Sequence, residues 1–289
     1  MRKPTRSSRL CLAAALLIAS IGSTAQAAGI PTTYPPVALN GNALDLGYRA
    51  LYNLDFSGAH AQFAAWMRAN PGDPLGAASD AAASLFGEFN RLGIIDVQLF
   101  ADDSRFNSRN RLSPDPAVRK AFDDRAAQAD ALADAALKRN PRDANALYAK
   151  TLVCGMRSDY ALMIDDRNID ALSWSKKASA LSHQTLAADP ALVDANLASG
   201  VENYMLSLKL APIRWLLSWT GAGTDREEGI RLLELTATHG HYLAPFARMM
   251  LAVAALRDHQ PQQARAILTA LSKEFPGNRL YAYERDRIR

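Results

Sequence analysis

Residues 243–276, LAPFARMMLAVAALRDHQPQQARAILTALSKEFP, decide how this chain is read. Leu251, Ala252 and Ala255 recur at helical spacing, then His259, Gln260, Pro261 and Gln262 break the pattern. Ala264, Leu268 and Leu271 resume it until Phe275 and Pro276 stop it. The order predicts two helices joined by a short turn. Small side chains at Ala252 and Ala264, opposite the bulk of Leu268, let the helices approach closely. Pro276 ends the second helix because it lacks a backbone N–H.

The same register stands near the start of the chain. Leu46, Gly47, Ala50, Ala59, Phe63 and Pro71 occupy the relative offsets of Leu251, Ala252, Ala255, Ala264, Leu268 and Pro276. Self-similarity of this kind marks an array of repeated hairpins. Between the two copies, Pro74 suits the first turn of a helix running to about Arg91. A helix over 118–139 carries Ala129, Ala133 and Ala136 at packing offsets and closes at Asn140 and Pro141. Helices over 144–163 and 169–188 follow, the second closed by Asp189 and Pro190. The next, over 192–210, places Gly200 where Gly47 stood. Residues 93–116 depart from the register, and Asp102, Asp103, Asn107, Pro114 and Pro116 favour turns there. An insertion of this length is tolerated because closure entropy grows only logarithmically.

These offsets resemble the tetratricopeptide repeat (TPR), a 34-residue helix–turn–helix unit with a small residue, a later alanine, a large apolar residue and a closing proline at these places. Asp189, Pro190, Asp194, Asn196, Gly200, Tyr204 and the run from Asp225 to Gly229 look like a lineage of exported bacterial TPR proteins of unassigned function. The resemblance implies an all-α solenoid of four to five irregular repeats and a binding task, with no catalytic residues. It also implies that the first helix of each hairpin lines the concave surface. Carried across residue by residue, that places Tyr48, Tyr148, Leu152, Leu197, Val201, Tyr204, Phe246 and Met249 in an apolar, aromatic groove. The same residues could instead fill the core between successive hairpins. The Lys and Asn clamp that some relatives use to hold a terminal carboxylate has no counterpart at these positions.

At the N-terminus, Arg2, Lys3, Arg6 and Arg9 precede an apolar run over 10–21, and Ala25, Gln26 and Ala27 follow it. These are the three regions of a cleavable secretory signal, expected to be cut after Ala27. The domain plan is then a signal over 1–27, an extended lead-in over 28–43 and the helical array over 44–289, with a periplasmic location. Removing the four basic residues of the signal from 33 leaves 29 basic against 29 acidic residues, so the mature chain is formally neutral. A neutral chain lacks the electrostatic footprint of a nucleic-acid binder. Only Cys154 remains after cleavage, so no internal disulfide is expected.

Common catalytic patterns are missing: there is no Gly-rich phosphate loop, no zinc-type His-Glu-x-x-His pair and no Gly-x-Ser-x-Gly nucleophile turn. Asp166, Asn168 and Asp170 imitate the opening of a calcium loop, but Ala171 and Lys177 stand where its glycine and closing acid belong. His239 and His241 have no nearby ligand set. The doublets Asp123, Asp124 and Asp165, Asp166 read as solvated helix faces. No metal and no cofactor are expected. Trp215 and Trp219, four apart in the apolar segment 206–223, share one face of any helix and form either a hydrophobic plug or a contact surface for protein or lipid. The expectation is therefore a non-enzymatic, exported scaffold in the cell envelope that binds a protein or peptide. The alternatives are an envelope enzyme built on residues 93–116 and a peripheral membrane-associating protein using 206–223.

Overall fold

The computed structural model describes residues 30–95, 97, 112–209, 217 and 221–288. The expected signal, most of the 93–116 insertion, Trp215 and Trp219 lie outside the described residues. The described chain is all-α, an array of helices packed in consecutive pairs. Its helices are α1 (Ala43–Tyr52), α2 (Phe56–Ala69), α3 (Pro74–Arg91), α4 (Pro116–Arg139), α5 (Ala144–Met163), α6 (Asn168–Ala188), α7 (Asn196–Ser207), α8 (Arg226–His239), α9 (Ala244–Arg257), α10 (Pro261–Glu274) and α11 (Arg279–Arg287). They form five hairpins, α1–α2 through α9–α10, and α11 packs on the last. Each second helix also packs on the first helix of the next hairpin, and α3 packs on both α1 and α5.

The turns between hairpins repeat because their sequences do. Asn70, Asn140, Asp189 and Phe275 each precede a proline. In each turn the backbone N–H three residues on donates to that residue's carbonyl, at 3.0, 3.0, 3.3 and 3.0 Å. Proline fits the second position of such a turn because its φ is already set. Asp73, Asp143 and Asn278 then cap the following helices by accepting from the N–H groups of Leu75, Ala146 and Leu280.

Within hairpins, α1 and α9 end alike. Leu54 and His259 adopt positive φ, 61° and 56°. Asp55 N donates to Ala50 O at 2.9 Å and Gln260 N to Ala255 O at 2.8 Å. This six-to-one bond is the Schellman closure of a helix. A registered glycine, Gly200, and one outside the register, Gly229, both bring helices together. A Cβ built on Gly200 of α7 would lie 3.2 Å from the backbone N of Leu233 in α8, and one on Gly229 would lie 2.5 Å from the backbone N of Tyr204.

The two ends of the array meet. Tyr52 Oη of α1 donates to the carbonyl of Tyr242 at 2.7 Å, and Asn278 Nδ2 donates to the carbonyl of Tyr52 at 3.0 Å. Gly277 N donates to Asn53 Oδ1 at 2.8 Å, and His241 Nε2 lies 2.7 Å from Asp45 Oδ1. The lead-in forms an extended strap along this seam. Val37 N donates to Glu274 Oε1 at 2.7 Å, Arg248 Nη2 donates to Pro35 O at 2.5 Å, and Gln263 Nε2 reaches the carbonyl of Ile30. Ile30 and Leu39 of the strap are buried. Arg248 is buried too, bonded to Glu274 Oε2 at 2.8 Å and to Ala237 O at 3.1 Å. Burial lowers its guanidinium pKa, and the Glu274 charge opposes that shift.

Candidate binding groove between α2, α3 and α4

The interior enclosed by the first helices is mostly filled. Tyr48, Tyr148 and Tyr204 are buried, whereas Leu152, Leu197, Val201, Phe246 and Met249 are half-buried against the same core. Tyr48 stacks on Tyr242 with ring centroids 4.6 Å apart and meets Phe63 edge-on at 5.4 Å. Its hydroxyl accepts from Ser79 Oγ at 3.1 Å. Phe246 meets Phe86 of α3 at 5.7 Å. Burial pushes the phenols of Tyr48 and Tyr148 well above the ordinary tyrosine range. Among the eight sequence-selected residues, the three tyrosines thus serve as core, and the other five keep a partial face toward solvent.

Other residues singled out from the sequence are paired within the chain. Asp194 is buried and accepts from Tyr242 N at 2.8 Å and Leu243 N at 3.1 Å, so it closes the entry to α9. Burial raises its carboxyl pKa, and those two N–H groups oppose the rise. Arg119 bonds Asp123 at 2.8 Å and Asp165 at 3.1 Å, Lys120 holds Asp124 at 2.6 Å, and Arg167 pairs with Asp170 at 2.5 Å. Cys154 is buried, and burial raises its thiol pKa. A buried thiol held in its neutral form is a poor nucleophile.

An open groove of about 640 Å³ runs along α3, walled by α2 and α4. Its floor is apolar, formed by Phe56, Ala83, Gly87, Ala117, Val118 and Ala121. Asp80 and Glu88, eight residues apart on α3, lie beneath it. Asp80 binds His60 Nδ1 of α2 at 2.6 Å and Arg125 Nε of α4 at 2.7 Å. Its side chain is 8% exposed, against 42% for His60 and 41% for Arg125. Glu88, 1% exposed, takes two bonds from Arg91, at 2.7 and 2.6 Å, and one from Asp115 N at 2.8 Å. The Arg91 bonds hold its carboxyl below the usual range despite burial. Arg91 itself is 48% exposed.

A buried carboxylate needs partners, because leaving an acceptor unsatisfied in a low dielectric is costly. Here that requirement draws two guanidinium groups and an imidazole to the groove rim and hides Asp80 and Glu88 below them. Sequence reasoning missed the arrangement, although a signal was present. Asp80, Ser84 and Glu88 recur every four residues in a helix otherwise rich in alanine and large apolar residues, which marks a polar stripe on a buried element. Comparison of the chain with protein-family models, with curated proteins and with solved structures finds no match.

Proposed function

We propose that this chain is an exported TPR-like scaffold that binds a protein or peptide partner in the cell envelope. The observation that carries the reading is the groove along α3, with its apolar floor between two helices and its half-exposed rim of two guanidinium groups and an imidazole. Its volume lies within the roughly 300–1,000 Å³ of ordinary ligand sites, and its lining follows their pattern of apolar surface with a few fixed polar groups. The three-part segment over 1–27 supports export, and the neutral mature chain argues for a partner other than nucleic acid.

Photo-crosslinking tests the proposal. A photoreactive residue at exposed Ala121, within the groove, is expected to capture a discrete envelope protein, and one at exposed Ser173 on α6 is not. Equal labelling from both positions, no adduct from Ala121, or recovery of the protein only from cytoplasm would overturn it.

A further inference from the structure

We propose that the outer face of α10, where it meets the strap, is a second docking surface and takes an extended acidic segment of a partner protein; the inference goes beyond the α3 groove and does not depend on it. A groove of about 640 Å³ runs there between α10 and Thr32 and Thr33 of the strap. Arg265, Thr269 and Lys273 line it, and their spacing of four residues sets them in one row along the helix. At 1.5 Å rise per residue the two cations stand about 12 Å apart. Among the described residues, none that lines the groove is acidic.

Both cations are available to a ligand. Lys273 is exposed and has no ion-pair partner among the described residues. Arg265 gives Nη2 to the carbonyl of Ile288, a neutral acceptor, and its Nε and Nη1 have no partner among the described residues. The surroundings carry the same sign, since residues 261–289 hold six basic side chains and three acidic ones in a mature chain that is neutral as a whole. Of those acids, Glu274 is held by Arg248 and Val37 N, Glu284 is buried, and both oxygens of Asp286 accept from Arg285. Free guanidinium edges form short, charge-assisted bonds to carboxylates.

The row also selects the shape of the ligand. A single phosphate reaches one cation and not the other. The apolar part of the lining is only Pro261, Ala266 and Ala270, so the nonpolar face of an amphipathic helix would find nothing large to pack on. In an extended chain, side chains four residues apart share a face and lie about 13 Å apart. Acids at that spacing match Arg265 and Lys273, while Thr32, Thr33 and Gln262 offer hydrogen bonds to the backbone between them. Thr269 Oγ1 donates to Arg265 O at 2.7 Å, so it presents an acceptor to a peptide N–H.

The test uses the full mature chain and three heptapeptides carrying an uncharged fluorophore. One has aspartates four apart among serines and threonine, the second has asparagine in their place, and the third has the two aspartates adjacent. The first is expected to bind at least tenfold more tightly than either of the others, with affinity falling as salt rises to about 0.5 M through screening. Lys273→Glu should weaken it at least tenfold and Lys273→Arg should retain it. Lys138→Glu, the same charge change at an exposed position in the last turn of α4, should leave it unaltered and shift the thermal midpoint as much as Lys273→Glu does. Equal affinity for the three peptides, or equal weakening by Lys138→Glu and Lys273→Glu, overturns the proposal. Binding of phosphatidylglycerol vesicles that Lys273→Glu abolishes, without discrimination among the peptides, identifies a lipid surface and overturns it too. Failure here and failure of the Ala121 crosslink are separate outcomes, because the two grooves share no lining residue.

Discussion

Asp159 lies on the face of α5 that also carries Tyr148 and Leu152, since offsets of seven and eleven residues return to one side of a helix. Burial alone raises its carboxyl pKa from 3.8 to about 7. The folded state therefore holds a proton that the unfolded state releases between those two values. The contribution to stability is most favourable below pH 3.8 and is lost as pH rises to about 7. Asp159→Asn should then stabilise the fold at pH 8 by on the order of 1–2 kcal/mol, after discounting for partial contact with solvent. At pH 4 the gain should vanish, and urea midpoints at the two pH values check the difference. Glycines give a second pair of expectations with opposite signs. Gly229→Ala drives a Cβ toward the backbone of Tyr204 and should cost about 1–3 kcal/mol, the range for overpacking. Gly87→Ala meets only ordinary contact and should gain about 0.5–1 kcal/mol of helix propensity. Thermal melts of both variants decide. Gly200 was legible in the sequence because it shares a register with Gly47. Gly229 was not, since what it spares is backbone on a neighbouring helix, and backbone leaves no mark in a residue pattern.

The helices were legible nearly to their ends, for a local reason. At three of the junctions between hairpins, the proline that stops one helix lies two residues before the Asp or Asn that caps the next, so the boundary is written where it occurs. The start of α7 differs from its reading. A helix from residue 192 was expected, but Val193–Ala195 form a 3-10 turn and the α-helix begins at Asn196. Asp194 explains the delay: its side chain serves α9, 48 residues away, and caps nothing in its own helix. The Schellman turns carry a prediction at this scale. His259 is exposed at φ 56°, a conformation that costs a side-chain-bearing residue about 1–2 kcal/mol and glycine nearly nothing. His259→Gly should raise stability by roughly 0.5–1 kcal/mol once the greater freedom of glycine in the unfolded chain is subtracted. Calorimetry on that variant, with Ala131→Gly at an exposed position inside α4 as a destabilising counterpart, checks it.

At the scale of the whole molecule, the hairpins were legible and their closure was not. Repeat offsets report contacts between neighbours, whereas the bonds joining α1 to the last hairpin span 190 to 226 residues and have no periodicity. The groove rim was hidden similarly, because Asp80 finds His60 and Arg125 on two other helices. Closure removes the free end at which an open array frays. Amide exchange in α1 should therefore be nearly as slow as in α5, in the centre of the array. Arg248→Met should break that equality. It leaves Glu274 without its guanidinium partner and should cost about 3–5 kcal/mol, with exchange accelerating first in residues 30–42.

The strap and seam also set the order of events during biogenesis. A chain is made from its N-terminus, yet Tyr48 and Tyr52 meet Tyr242, Phe275 and Asn278 only when residues 242–278 arrive. Contacts so distant in sequence slow folding, because the intervening loop must be closed before any of them forms. The first hairpin must therefore wait, apolar side outward, through most of synthesis and through any passage across a membrane. A holding chaperone would find its longest-lived target in residues 39–52.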